Sequence, residues 1–149
     1  MAYLILNEWV WADCKGTNGN ERRSQTNRFL QAIFESADKV IIVKGSPFYK
    51  KAWNLCTAVD RPSRDIAKYF TRNYLYNSNK CLILAEQELT DITGTLSQSV
   101  KNDDHYLVKA AQTVPDSLII TTDNPLCKAL NKFNIDCVMR DAYIPMYLL

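Results

Sequence analysis

The sequence predicts an α/β fold of three layers, α/β/α, around a mostly parallel central sheet. Three observations lead there. Five short apolar runs are spread along the chain: "AYLIL" (2–6), "KVIIV" (39–43), "KCLILA" (80–85), "SLIITT" (117–122) and "IDCVM" (135–139). Segments with helical spacing separate them, and strands that alternate with helices make a parallel sheet covered on both faces. The runs are apolar almost without interruption, as strands buried on both faces are, rather than alternating as half-exposed strands do.

The elements follow in order. After the first strand, "WADCKGTNGNE" (11–21) is rich in turn residues and reads as a loop. "RRSQTNRFLQAIFESA" then sets Phe29, Leu30, Ile33, Phe34 and Ala37 at helical spacing. The second strand is closed by Gly45. Ser46 and Pro47 supply an N-cap and a first helical residue for "FYKKAWNLCTAV". Another helix, "RPSRDIAKYFTRNYLY", runs from Pro62. After the third strand, "DDHYLVKAAQTV" (103–114) is a helix whose first-turn acids suit the helix dipole. After the fourth, Asn124 reads as the N-cap of "NPLCKALNKF", with Pro125 in the first turn. The closing "AYIPMYLL" is apolar enough to require packing, on this domain or on a partner.

The 149 residues suit one domain, long enough for a proper core. With 47% hydrophobic and 23% charged residues the balance is that of a globular protein. A net charge of +2 excludes a wholesale electrostatic nucleic-acid binder, so any basic footprint is local. Five cysteines without a C-x-x-C pair argue against a disulfide framework or a zinc cluster, and for reduced thiols in a cytosolic protein. The N-terminus lacks the basic start of a signal peptide, and no apolar run reaches the ~18 residues of a membrane span. Four glycines and no Gly-rich loop after a strand weaken a nucleotide-binding reading.

Acidic residues gather at corresponding places. Asn7 and Glu8 follow the first strand, Asp103 and Asp104 open a helix, and Asp123 ends the fourth strand. With Asn124 free to cap, Asp123 stands at the strand tip, where open α/β sheets bind ligands. Singly, each acid has a plain reading: Asp103 as a cap, Asp123 as a turn residue, Glu8 as a solvated neighbour of Trp9. Brought together, unpartnered carboxylates repel one another until a cation sits between them. Oxygen donors select hard ions, here Mg²⁺ or Mn²⁺, held by Glu8, Asp103 or Asp104, and Asp123. Such ions activate water and stabilise a phosphate under attack. His105, the only histidine, reads as a surface or interface residue.

The stretch "NDDHYLVKAA…SLIITTDNPLCKAL" resembles the C-terminal half of a PIN domain, a metal-dependent ribonuclease family. That family carries an acid at the start of a helix and, further on, a strand ending in Thr-Asp or Ser-Asp. The likeness is specific over 102–130, and the order of elements agrees over most of the chain. It implies that Asn7, with Glu8 beside it, stands where the family has its first catalytic aspartate. It also implies that Lys50 or Lys51 replaces the family's middle glutamate. The implied activity is hydrolysis of single-stranded RNA, as in toxins of toxin–antitoxin pairs, which form homodimers and meet an antitoxin partner. The rival implication is a catalytically degenerate module that binds RNA or protein.

Basic residues supply a route for RNA. Arg61, Arg64, Lys68 and Arg72 recur at helical spacing with Tyr69, Tyr74 and Tyr76 interleaved, a pattern that suits phosphates and stacked bases. The plain alternative is a solvated face with tyrosines half in the core. Lys50, Lys51 and Thr122 are further candidate RNA contacts. Trp9, Trp11 and Trp53 read as core or interface residues.

Overall fold

Short runs of Leu, Ile and Val, too brief for helices and flanked by turns, form five parallel strands in the computed structural model, which describes residues 1–149. These are β1 (Tyr3–Leu6), β2 (Lys39–Val43), β3 (Cys81–Leu84), β4 (Ser117–Thr121) and β5 (Cys137–Met139). Their order across the sheet is β3-β2-β1-β4-β5. Register is in step: Leu4 lies opposite Val40 on one side and Leu118 on the other.

Alternate residues of each strand enter different cores, so the sheet divides two apolar clusters. Leu4, Leu6, Val40, Ile42 and Ile120 pack against α1 (Trp9–Lys15), α2 (Asn20–Glu35), α3 (Pro47–Leu55), α4 (Arg61–Phe70) and α8 (Arg140–Tyr147). Ile5, Ile41, Val43 and Ile119 pack against α5 (Gly94–Ser99), α6 (His105–Thr113) and α7 (Asn124–Lys132). This is the three-layer α/β/α architecture expected. The division follows from crossover handedness. Parallel crossovers are right-handed, so stepping from β1 towards β3 puts helices on one face, and stepping towards β5 puts them on the other. Each fully buried Leu or Ile in these cores contributes about 1.5–3 kcal/mol of burial.

Several local expectations are corrected. The stretch 11–21 is not a loop: α1 begins at Trp9, and only residues 16–19 turn before α2. Gly16, at φ +82°, closes α1 in the left-handed region that glycine favours. The glycines and asparagines of 16–20 were a true turn signal, but Trp9, Val10, Trp11 and Cys14 bury one face of the turn before it. Asp60 caps α4, which starts at Arg61 and continues from Phe70 into a π-helical turn, Thr71–Leu75. The acids at 103–104 lie in a 3-10 turn, Asn102–Asp104, ahead of α6. The apolar C-terminal segment is α8, and it packs on this domain: Ile144 is buried, and Tyr143 and Tyr147 meet Phe29 edge-on.

The five cysteines are free. Burial pushes the Cys14 and Cys81 thiols up to about 12, so they behave as small apolar groups. No helix is long and apolar enough to cross a membrane.

A candidate cation site at the switch point of the sheet

β1 occupies the centre of the sheet; the chain steps from it towards β3, then returns to lay β4 on its other side. Between the C-terminal ends of β1 and β4 the connections leave on opposite faces and a crevice must open, the usual ligand site of such sheets. The crevice here measures about 390 Å³ and is lined by Asn7, Glu8, Asn18, Lys51, Asp104, Thr122 and Asp123, with Trp9 and Ala12.

Asn7 is held from three sides. Its amide Nδ2 donates to Thr121 Oγ1 at 3.4 Å, and its Oδ1 accepts from the Glu8 backbone N–H at 2.7 Å and from the Tyr106 hydroxyl at 3.3 Å. Thr121 Oγ1 also accepts the Asp123 N–H at 3.1 Å, so one buried hydroxyl ties the two strand ends together. Trp9 fixes the turn after β1 by donating its indole N–H to the Ile120 carbonyl at 2.8 Å.

Asp123, not Asn124 as expected, is the N-cap of α7. Its Oδ1 accepts the Leu126 N–H at 3.0 Å, while Asn124 is already helical. The helix starts one residue earlier than expected because Pro125 is tolerated at the second position as well as the first, both N–H groups there lacking helical partners. Its Oδ2 has no hydrogen-bond partner, so the carboxylate caps with one oxygen and offers the other.

Asp104 stands at the start of α6 but makes no side-chain cap bond. It lines the crevice and, with Asp123, an adjoining cavity of about 160 Å³ that includes Lys101. Burial raises its carboxyl above the ordinary carboxylate range, and the charges of Asp123, Asp103 and Glu8 push it the same way; Lys101 alone pulls it down. Glu8 meets Lys51 Nζ at 3.7 Å, a partly exposed pair.

The structure therefore brings together Asn7, Glu8, Asp104, Asp123, Thr122 and, of the two lysines, Lys51. Lys50 and Asp103 are exposed and do not line the crevice, nor do Arg61, Arg64, Lys68 and Arg72. His105 Nε2 meets the Val100 carbonyl at 2.9 Å and lines a neighbouring cavity. Two residues were missed. Asn18 reaches the crevice because the 16–19 turn folds back over it, and its amide is anchored on Asp13 at 2.8 Å. Tyr106 was hidden by its apolar setting; a tyrosine two residues beyond Asp104 was the available signal.

In kind, the donors fit a hard divalent cation: carboxylate, amide and hydroxyl oxygens, with no sulfur or imidazole among them. In spacing, no group of three or more acidic, His or Cys side chains stands close enough to hold a metal. Asp104 and Asp123 are the pair that would hold one, with the neutral oxygens of Asn7 and Thr122 beside them, while Glu8 is engaged by Lys51. Compared with protein-family models and with curated proteins, the chain finds no match.

Proposed function

We propose that this chain is a metal-dependent ribonuclease of PIN-like architecture that hydrolyses single-stranded RNA. One observation carries the reading: Asp104 and Asp123 share a crevice at the switch point of the sheet, with Asp104 raised by burial and by the acids around it, and in no ion pair. Such a pair costs stability unless it has a cationic ligand to hold. A bound Mg²⁺ or Mn²⁺ supplies an activated water and neutralises charge on the phosphate. The protein's own part is positioning. Asp123 is fixed by the helix it caps, Asn7 by Tyr106 and Thr121, and Lys51, tied only to the half-exposed Glu8, is free to exchange it for a phosphate oxygen. The toxin role, with homodimer and antitoxin partner in a cytosol, extends this reading through the family resemblance.

The Lys51–Glu8 pair also favours a second reading, a degenerate module that binds RNA or protein without cutting. An ammonium at 3.7 Å from Glu8 removes one charge that a metal would need, and Asn7 brings none.

The deciding experiment is cleavage of end-labelled single-stranded RNA with Mn²⁺ or Mg²⁺, beside EDTA and beside Asp123→Asn, which keeps a capping oxygen. The nuclease reading expects metal-dependent cleavage that the variant loses. If the wild type binds RNA without cutting and Asn7→Asp cuts, residue 7 is what silences the site. If neither cuts and calorimetry detects no Mn²⁺ binding, the module reading stands.

A further inference from the structure

A second cleft, on the other side of α3, is built unlike the first. It measures about 330 Å³ and is lined by Trp53, Cys56, Lys68, Thr71, Arg72 and Tyr76, with no acid among them. That volume lies at the small end of ligand pockets, sufficient for one nucleotide. Tyr76 is 75% exposed, unusual for so large a ring, and meets Trp53 at 5.9 Å and 73°. Tyr49 holds Trp53 from behind at 6.2 Å and 72°. An edge-to-face pair leaves ring faces open that a stacked pair would hide.

The wall opposite α3 owes its form to the π-helical turn. The Tyr76 N–H reaches back five residues to the Thr71 carbonyl at 3.1 Å. Within the turn Tyr74 is drawn into the core, stacked on Phe70 at 4.9 Å with its hydroxyl donated to the Leu30 carbonyl. Tyr76, just past the turn, is left outside. π turns are rare, and many mark functional positions.

Lys68 and Arg72 lie four residues apart on this wall, and neither forms an ion pair; like charges so spaced repel. Arg61 differs, being paired with Asp65 at 3.6 Å. Thr71 Oγ1 and Cys56 Sγ satisfy each other at 3.4 Å, so the floor of the cleft is neutral. Two unpaired cations beside an exposed tyrosine and a half-buried tryptophan are complementary to an anionic ligand with a flat apolar part. We propose that this cleft is a nucleobase site for single-stranded RNA, one base lying against Trp53 and Tyr76 while its phosphates meet Lys68 and Arg72. The inference rests on the chain acting on single-stranded RNA, and not on the chemistry of the acidic crevice. Because Lys51 and Trp53 leave α3 on roughly opposite sides, the helix separates a holding site from the crevice.

The test is fluorescence anisotropy with a labelled oligouridylate of about 12 nucleotides, long enough for an ordinary single-strand site. EDTA is present, so that binding is read without a cation in the crevice. Tyr76→Ala, a change at an exposed position, is expected to keep the wild-type melting temperature and to weaken binding roughly 5- to 150-fold. Arg72→Gln is expected to lower the slope of log affinity against log salt by about 0.7, one phosphate contact. Wild-type affinity in both variants overturns the proposal, as does a wild type that binds no RNA. A Tyr76→Ala protein that binds normally but changes from dimer to monomer in sedimentation also overturns it, and assigns the ring to a self-interface. Failure of the crevice reading would show elsewhere, as missing Mn²⁺-dependent cleavage.

Discussion

Two aspartates, each close in sequence to the turn of a helix, meet opposite electrostatic fates. Asp13 is fully buried on α1, and both its oxygens are occupied. Oδ2 accepts from Arg140 Nε at 3.0 Å and from the Thr26 hydroxyl at 2.9 Å, and Oδ1 accepts from the Asn18 amide at 2.8 Å. Arg140 is itself buried and matched donor by donor: Thr26, Gln25 and Asp141 accept from it, and its guanidinium lies 5.6 Å from the Trp9 ring. Asp104 is half-exposed and caps nothing; partial burial raises its carboxyl, and the acids around it push the same way. One carboxylate is an internal tie that fastens α8 to α1 and α2; the other is left unbalanced at the mouth of the sheet. Charge that is matched in place serves the fold, and charge left unmatched where the topology opens a crevice marks a candidate functional site.

The largest effect should come from breaking the matched pair. Arg140→Met leaves Asp13 buried without its partner and should cost about 3–5 kcal/mol in urea unfolding, whereas Asp13→Leu with Arg140→Met should recover most of that loss. A cost under about 1 kcal/mol for the single change would mean that Asp13 is not an internal tie.

Next in size is the response of the unmatched pair to a cation. Mn²⁺ at a hundred times its Kd should add about 2.7 kcal/mol to stability, read as a rise in melting temperature, and Asp104→Asn should abolish the rise. No shift in the wild type at any attainable Mn²⁺ concentration would count against a cation site.

Asp123 both caps α7 and lines the crevice, and two substitutions separate the cap from any cation response. Asp123→Ala should lose the cap and about 1 kcal/mol, while Asp123→Asn should retain stability; both should lose Mn²⁺-induced stabilisation. Equal stability of the two variants would show that the Leu126 bond contributes little.

The smallest effect concerns pH. The folded state raises the Asp104 carboxyl, so its contribution favours folding below the unfolded-state value and is lost as pH rises through the folded one. At neutral pH Asp104→Asn should therefore be more stable than wild type. The gain is on the order of 0.5 kcal/mol, because solvent screens this half-exposed group. It should vanish on acidification through the carboxylate range; a gain that persisted there would assign it to packing.

Much of this was legible in the residues. The five apolar runs are the five strands, and the acids after the first run, before the sixth α-helix and after the fourth run are those that meet in the crevice, Asp103 excepted. Other features were not legible. The segment 11–15 carries turn-like neighbours, and its helix is decided by what Trp9, Trp11 and Asp13 pack against. Asn124 and Asp123 are equally good caps by chemistry, and the choice between them is a shift of one residue in where α7 begins. Among the basic residues of 61–72, spacing alone cannot separate Arg61, paired with Asp65, from Lys68 and Arg72, which are unpaired beside Tyr76. Hydrophobic pattern and turn chemistry act over a few residues, so the sequence alone determined the strands, most helices and the α/β class. Which acids stand together, which lysine joins them, and which tyrosine is buried depend on side chains far apart in the chain. Only the strand order β3-β2-β1-β4-β5 and the two cores built on it could decide those.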